Sequence, residues 1–396
     1  MPARRVPKPP RALPPLELFA TCAPGLSGLL AAEVRALGFT GIEEPGGVAL
    51  QGDSATLARL NLWLRTATRV LVRLGSFEAK TFGALVHEAG KLPLERVLRP
   101  GQAVALRVTC KKSKLYHSDA VAERVLAAIG ARLGKPSPLA PGAGDDDAAQ
   151  AEGQAPAQLL VVRFDHDRCT VSADSSGALL HRRGYRTHSS QAPLRETLGA
   201  ALLLAAGYSG GPLLDPCCGA GTIPLEGALL ALGRPPGLRR AFACEAWPGF
   251  DDRIIAKLRA EAGMKALPAR LPISGSDLDP RAVAAALHNA DEAGLGALVA
   301  FTERPLQDLA LPAGLEPGTT GLVACNPPYG MRVGEGTDLR ALYAALGKAV
   351  RDRLPGWRLA LVCADDALAL AAGMPLTCVA RTENGGAKVG LWVQTR

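Results

Sequence analysis

The sequence predicts an α/β protein in two dissimilar parts, an α+β front half and a doubly wound, mostly parallel back half. Three observations predict it. The 396 residues exceed one ordinary core, since domains run to roughly 100–200 residues. Up to about residue 175, strands and helices follow one another in mixed order, whereas from Pro212 they alternate strand, helix, strand. The charge divides near the same place: residues 1–134 hold 19 Lys+Arg against 10 Asp+Glu, residues 135–158 a net −3, residues 159–195 a net +3 and residues 196–396 a net −1.

Composition excludes several classes. With 48% hydrophobic residues the chain can bury sizeable cores, yet it contains no run of about 18 apolar residues that would span a membrane. Residues 1–15 carry six prolines and four basic residues but no apolar segment, which reads as a disordered basic arm rather than a secretory signal. Nine cysteines, an odd number without C-x-x-C spacing, and six dispersed histidines argue against a disulfide framework or a metal site and for a reducing cytoplasm. A basic front half joined to a neutral back half suits a protein that holds a polyanion in one part and does chemistry in the other.

Residues 16–76 read as β-α-β-β-α-β: strand Leu16–Thr21, a helix with apolar spacing Leu26, Leu29, Leu30, Val34, Leu37, a hairpin turning at Glu44-Pro45-Gly46-Gly47, a helix through Leu57, Leu60 and Leu64, and strand Val70–Leu74. That order is ferredoxin-like. A second unit, 77–175, contains a helix after Lys80-Thr81, a strand Ala103–Cys110, and a helix Ala120–Ile129 with Ser118 as its expected N-cap and Lys111, Lys112 and Lys114 beside its start. Strands Leu159–Phe164 and Cys169–Ala173 close the unit. Between them, 134–157 is rich in Pro, Gly and Ala around Asp145-Asp146-Asp147 and reads as a disordered acidic insertion. A linker, 176–195, carries the basic run His181-Arg182-Arg183-Gly184-Tyr185-Arg186, expected to wall a substrate channel.

The back half, 196–396, has expected strands at Leu213–Asp215, Ile273–Asp277, Leu298–Phe301, Gly321–Cys325 and Arg358–Cys363. A final hairpin, Leu376–Arg381 and Lys388–Val393 about Asn384-Gly385-Gly386, would add an antiparallel strand at the edge. Ligands of such sheets bind beyond the carboxyl ends of the strands. Two stretches lie there. In the first, Asp215-Pro216-Cys217-Cys218-Gly219-Ala220-Gly221, the glycines let backbone approach a ligand. The third glycine of the dinucleotide fingerprint is replaced by Pro224, and Asp215 suits a cationic amino-acid end better than a pyrophosphate. S-adenosylmethionine is therefore the expected cofactor, held by Asp215, Gly219, Ala220 and Gly221, with Asp279 toward the ribose or merely as a helix cap, and Asp308 toward the adenine.

The second stretch is Asn326-Pro327-Pro328-Tyr329. An exocyclic base amine is a poor nucleophile because its lone pair is delocalised, and acceptors aimed at its hydrogens favour a tetrahedral nitrogen. The Asn326 side-chain oxygen and the Pro327 carbonyl would supply them, while Tyr329 offers a ring on which a base can stack, worth about 1–3 kcal/mol. No cysteine stands in the motif loop after Asn326, so a covalent cytosine mechanism is not expected, and Cys217, Cys218 and Cys325 read as small buried hydrophobes.

These motifs, with Asn61-Leu62-Trp63-Leu64-Arg65-Thr66-Ala67, Ala79-Lys80-Thr81-Phe82, the 181–186 run and Gly330, resemble the bacterial THUMP-containing methyltransferases that modify guanine N2 in large-subunit ribosomal RNA. The resemblance runs from about Phe19 to Val393. It implies a ferredoxin-like domain, a THUMP domain that binds RNA and a class I (Rossmann-like) methyltransferase domain with a seven-stranded sheet. It also implies cofactor contacts at Asp215, Gly219 and Gly221, and Asn326 and Tyr329 at the target base. Candidate RNA contacts are Lys80, Lys111, Lys112, Lys114, Arg182, Arg183 and Arg186. The cradle departs from the family's usual residues in reading Cys-Cys-Gly-Ala-Gly, and one methyltransferase domain, hence one activity, is expected. Transfer RNA methylation, methylation of a protein glutamine or DNA adenine, and a non-catalytic RNA-binding assembly factor are the competing expectations.

Overall fold

The computed structural model describes residues 15–140, 157–188, 193–263, 268, 271–329 and 338–394. The basic arm, apart from Pro15, and residues 141–156 of the acidic insertion lie outside the described residues.

The front half forms one seven-stranded sheet. Its elements are β1 Leu16–Cys22, α1 Ser27–Ala36, β2 Ile42–Glu44, β3 Gly47–Gly52, α2 Ser54–Trp63, β4 Ala67–Glu78, α3 Phe82–Ala89, β5 Val104–Lys111, α4 Ser118–Leu133, β6 Gln158–Asp165 and β7 Arg168–Asp174. The strand order β2-β3-β1-β4-β7-β6-β5 makes the first four strands a ferredoxin-like antiparallel set. Only β5 and β6 pair in parallel. β4 runs across the boundary expected at 76/77: it is 12 residues long and pairs with β1 along its first part and β7 along its last, so the two expected units share one sheet. Helices begin where short polar side chains cap them, Asp53 at α2 and Thr81 at α3, each worth about 1 kcal/mol. The expected cap Ser118 is instead the first residue of α4; His117 precedes it and makes no side-chain cap bond.

The back half is a second seven-stranded sheet in the order β10-β9-β8-β11-β12-β14-β13. Here α5 is Glu196–Ala205, β8 Leu213–Asp215, α6 Thr222–Ala231, α7 Asp252–Gly263, β9 Ile273–Asp277, α8 Pro280–Glu292, β10 Ala300–Glu303, β11 Leu322–Cys325, α9 Leu339–Arg353, β12 Arg358–Cys363, α10 Asp366–Ala371, β13 Leu376–Asn384 and β14 Ala387–Gln394. The five strands β8 to β12 run parallel. The hairpin is not simply added at the edge: β14 inserts antiparallel between β12 and β13, leaving β13 outermost. Gly385 and Gly386 turn it with φ of 56° and 84°, as a two-residue hairpin loop requires. Among the described residues, no helix is long and apolar enough to cross a membrane.

The two halves are joined by burial, not by a free linker. Phe242, Cys244, Trp247 and Ile255, from the excursion between α6 and β9, pack into the core of the front sheet. In the expected linker Leu179, Leu180, Arg183 and Tyr185 are buried. Arg240 closes this segment by donating to the carbonyls of Leu179 (2.6 Å), Arg182 (3.0 Å), Ser176 (3.1 Å) and Ala178. Beneath it, Arg183 pairs with Glu226 of α6 (3.2 Å) and donates to the Arg65 carbonyl (2.6 Å), while Arg65 donates to the carbonyls of Leu229 and Arg234. Glu33 accepts from the Arg65 and Thr66 amides at 2.8 and 2.9 Å.

Candidate active site

The carboxyl ends of β8, β9 and β11 open into one cleft of about 1540 Å³, lined by the glycine turn, by Asp277 and Asp279, by Asn326 to Tyr329 and by the 181–186 run. The volume exceeds the 300–1,000 Å³ of ordinary small-ligand pockets, which leaves room for a nucleoside-sized cofactor beside a second nucleoside.

The turn is built for close approach. Gly221 caps α6 at φ 85°, and a Cβ there would stand 3.1 Å from both the Ala286 side chain and the Phe301 ring. Gly219 has φ 51°, and its N–H donates to Asp277 Oδ2 at 2.9 Å. Asp277 Oδ1 accepts from the Asp279 N–H at 3.0 Å, so one carboxylate ties the end of β9 to the turn after β8. Asn289, fully buried on α8, anchors the turn from outside: its amide donates to the carbonyls of Ala220 and His188, both at 3.0 Å, and its oxygen accepts from the Thr187 and His188 amides.

Asp215 is 1% exposed, and its carboxyl accepts a hydrogen bond from the Cys217 amide at 3.0 Å. Burial raises its pKa well above the usual carboxylate range, and the Asp277 charge raises it further. A buried carboxylate without a cationic partner is a costly arrangement that a cationic ligand would relieve. Across the cleft, the Asn326 side-chain oxygen is buried and makes no hydrogen bond among the described residues. Tyr329 is held from behind, its hydroxyl accepting from the Asn384 amide at 3.2 Å.

Residues 183–392 match the family described as RMKL-like, methyltransferase domain, more than half of the chain, and residues 17–71 match the RlmL ferredoxin-like domain. The chain belongs to the RMKL-like methyltransferase family. It is 36% identical over 387 residues to the ribosomal RNA large subunit methyltransferase K/L of Syntrophotalea carbinolica, covering 94% of this chain and 52% of that protein. The chain thus spans about half the length of the curated relatives it matches. Among solved structures, a predicted N6-adenine-specific DNA methylase from Listeria monocytogenes matches at 32% identity and TM-score 0.81, with 96% of each chain covered. SMU.472, crystallised with S-adenosylhomocysteine (SAH), matches at 29% identity and TM-score 0.82, covering 97% of this chain and all of that one.

In this RMKL-like methyltransferase the fold gathers Asp215, Gly219, Ala220, Asp279, Asn326, Pro327 and Tyr329 at one cleft, with Gly221 closing the turn. Three expected contacts, Asp308, Arg183 and Arg186, require correction, while Asp279 takes the cap role allowed for it. Asp308 is exposed and does not line the cleft; Leu306 and Gln307, just before it in the same helical turn, do. Asp279 caps α8, its carboxylate accepting from the Arg281 amide at 2.9 Å and pairing with the Arg281 guanidinium. Arg183 is 2% exposed and bound to Glu226, so its guanidinium is not available to RNA, and Arg186 is committed to Glu196 (3.0 Å) and Thr222 (2.6 Å). Lys80, Lys111, Lys112 and Lys114 are exposed on the front sheet. Asp277, Asn289 and Asn384 were not singled out from sequence. Asp277 carried a signal, as the last residue of a strand one position before Leu278.

Proposed function

We propose that this chain uses S-adenosylmethionine to methylate the exocyclic N2 amine of a guanine in large-subunit ribosomal RNA. The observation that carries the reading is the buried, unpartnered Asn326 oxygen, facing the same cleft as the buried Asp215 carboxyl, which has no cationic partner among the described residues. Bound S-adenosylmethionine supplies an electrophilic methyl group on a cationic sulfur. The residues fit it: Asp215 offers a buried carboxyl whose negative charge a cationic ligand would stabilise, the Gly219 to Gly221 backbone leaves space, and Leu278, 71% exposed, lines the cleft as an apolar ledge for an adenine. Asp277 and Asp279 stand where ribose hydroxyls would be received.

Asn326 and the Pro327 carbonyl accept the two amine hydrogens, which turns the nitrogen lone pair out of conjugation and toward the methyl group. Orientation then supplies most of the rate, and Tyr329, clamped by Asn384, gives the extruded base a face on which to stack. Extrusion costs a few kcal/mol, which the rest of the RNA contact offsets. The unit from β4 to β7 is the proposed THUMP-like RNA-holding part, with Lys80, Lys111, Lys112 and Lys114 toward phosphates, and the nine unpaired cysteines accord with a cytoplasmic site of action. Names among the relatives favour one rival acceptor, the adenine amine of DNA, which presents the same kind of nitrogen.

The test is incubation of the protein with labelled methyl donor and, separately, unmodified large-subunit ribosomal RNA, transfer RNA and DNA, followed by mapping of the labelled base. Label confined to adenine, or to DNA, overturns the reading. Two further outcomes are expected. Gly221→Ala puts a Cβ on a left-handed backbone, costing about 1–2 kcal/mol, and should weaken SAH binding at least tenfold in a titration. Because β4 spans both front units, deleting residues 77–175 would cut the sheet, so charge reversal is the sound test of RNA binding. Reversing Lys111, Lys112 and Lys114 to Glu together should flatten the slope of log affinity against log salt by roughly 2 while SAH affinity stays unchanged.

A further inference from the structure

The basic wall of the cleft divides into arginines that are already paired and two that are not. Arg183 is closed by Glu226 and Arg186 by Glu196, whereas Arg195 and Arg304 have no carboxylate partner among the described residues. Arg304 follows β10 at the edge of the sheet. Arg195 sits instead at the start of α5, half-buried, and its N–H donates to Asn384 Oδ1 at 3.4 Å, the same side chain whose amide donates to Tyr329. Its backbone is thereby fixed next to the loop that carries Asn326.

Arg195 shares its stretch of the cleft wall with His181. Burial holds His181 down to about 3, and of the four arginines that add to this effect Arg195 contributes most, ahead of Arg183, Arg182 and Arg186. His181 is therefore a neutral imidazole facing the cleft beside a guanidinium. The acids of the cleft stand elsewhere: Asp215, Asp277 and Asp279 lie at the glycine turn and the end of β9, and Glu196 is spent on Arg186. A partly buried cation that lines the cleft without a carboxylate partner among the described residues is open to the negative charge a ligand brings.

We propose that Arg195, with His181 beside it on the cleft wall, forms an oxyanion subsite at the junction of the cofactor and acceptor ends of the cleft. This rests on the reading of the cleft as a methyl-transfer site. The oxyanion has two sources there, the carboxylate at the amino-acid end of S-adenosylmethionine and the phosphate next to the target nucleotide. The same guanidinium serves either.

The full-length chain carrying Arg195→Gln or Arg195→Lys distinguishes them. Affinity is measured for SAH and for 5′-methylthioadenosine, which keeps the adenosine and sulfur but lacks the amino-acid end, and KM is measured for RNA over a salt series. If the subsite takes the carboxylate, Gln weakens SAH at least tenfold, leaves methylthioadenosine unchanged, and Lys restores most of the loss. If it takes the phosphate, SAH affinity is unchanged, the KM for RNA rises at least tenfold, and the salt slope falls by about 0.7–0.9. Unchanged SAH affinity together with unchanged RNA KM overturns the subsite. So does an equal loss of SAH and methylthioadenosine, which would mean that the glycine turn itself had been disturbed. Should the unsubstituted protein fail to methylate RNA, the acceptor reading falls, while the comparison of SAH with methylthioadenosine still judges Arg195.

Discussion

Asn326→Ala is expected to lower methyl-transfer turnover by about 10²–10³-fold while leaving SAH affinity within threefold. The magnitude is that of removing one preorganised polar group from a site where charge develops in the transition state. Asn326 follows β11, whose residues Leu322 to Cys325 are buried between β8 and β12, so the loop starts from a rigid strand end. Its side-chain oxygen is already desolvated and has no hydrogen-bond partner among the described residues. The cost of stripping water from that oxygen is met during folding, and the full strength of the bond is available to an amine when it arrives. Alanine removes the acceptor without touching the glycine turn, so cofactor binding should survive. Single-turnover methylation alongside SAH titration reads both quantities. Turnover within fivefold of the unsubstituted chain would show that the Pro327 carbonyl suffices or that the amine is received elsewhere.

Glu226→Ala carries the largest expected stability effect, a loss of about 3–5 kcal/mol read from denaturant unfolding. Glu226 is fully buried and receives both Arg183, itself 2% exposed, and the Tyr185 hydroxyl at 3.1 Å. Arg65, buried in the same cluster, also feels its charge. Removing the carboxylate leaves the Arg183 guanidinium in a low-dielectric interior without the anion it pairs with, and it cannot shed its proton at neutral pH. Replacing Arg183 and Glu226 together with Met and Leu should recover most of the loss, because two apolar groups of similar volume avoid desolvating any charge. A single-substitution cost below 1 kcal/mol would mean that the arginines reach water when the carboxylate is gone. The location matters beyond stability, since Glu226 lies on α6, the helix that begins at Gly221, and the pair ties that helix to the front sheet.

Much of this architecture was legible because its causes are local. The alternation of apolar strands and amphipathic helices after Pro212 announced a parallel sheet, and strand ends could be found within a few residues from where Gly, Pro and Asp follow apolar runs. The Asp215 to Gly221 turn and the Asn326 to Tyr329 loop were visible because backbone freedom and side-chain chemistry need particular residues at fixed spacing. The order β-α-β-β-α-β likewise announced the ferredoxin-like set.

Where the sequence misled, the deciding partner was far away along the chain. A run of arginines at 182, 183 and 186 reads as a basic patch, because nothing near it in sequence shows that Glu226 and Glu196 meet two of its members. The boundary at residue 76 looked natural, yet Ser76, Phe77 and Glu78 continue a strand whose partner, β7, begins 90 residues later. Asn384 read as a turn residue, and only the return of the last hairpin beside the cleft brings it to Tyr329 and Arg195.

By itself, then, the sequence determined the class of fold and picked out the two short segments, 215–221 and 326–329, that meet at the cleft, because each depends on residues close together in the chain. The tertiary structure alone decided which charges are spent and which remain. Pairing and burial are properties of contacts between distant segments, and they leave the Asn326 oxygen without a partner among the described residues while pairing Arg183 with Glu226 and Arg186 with Glu196.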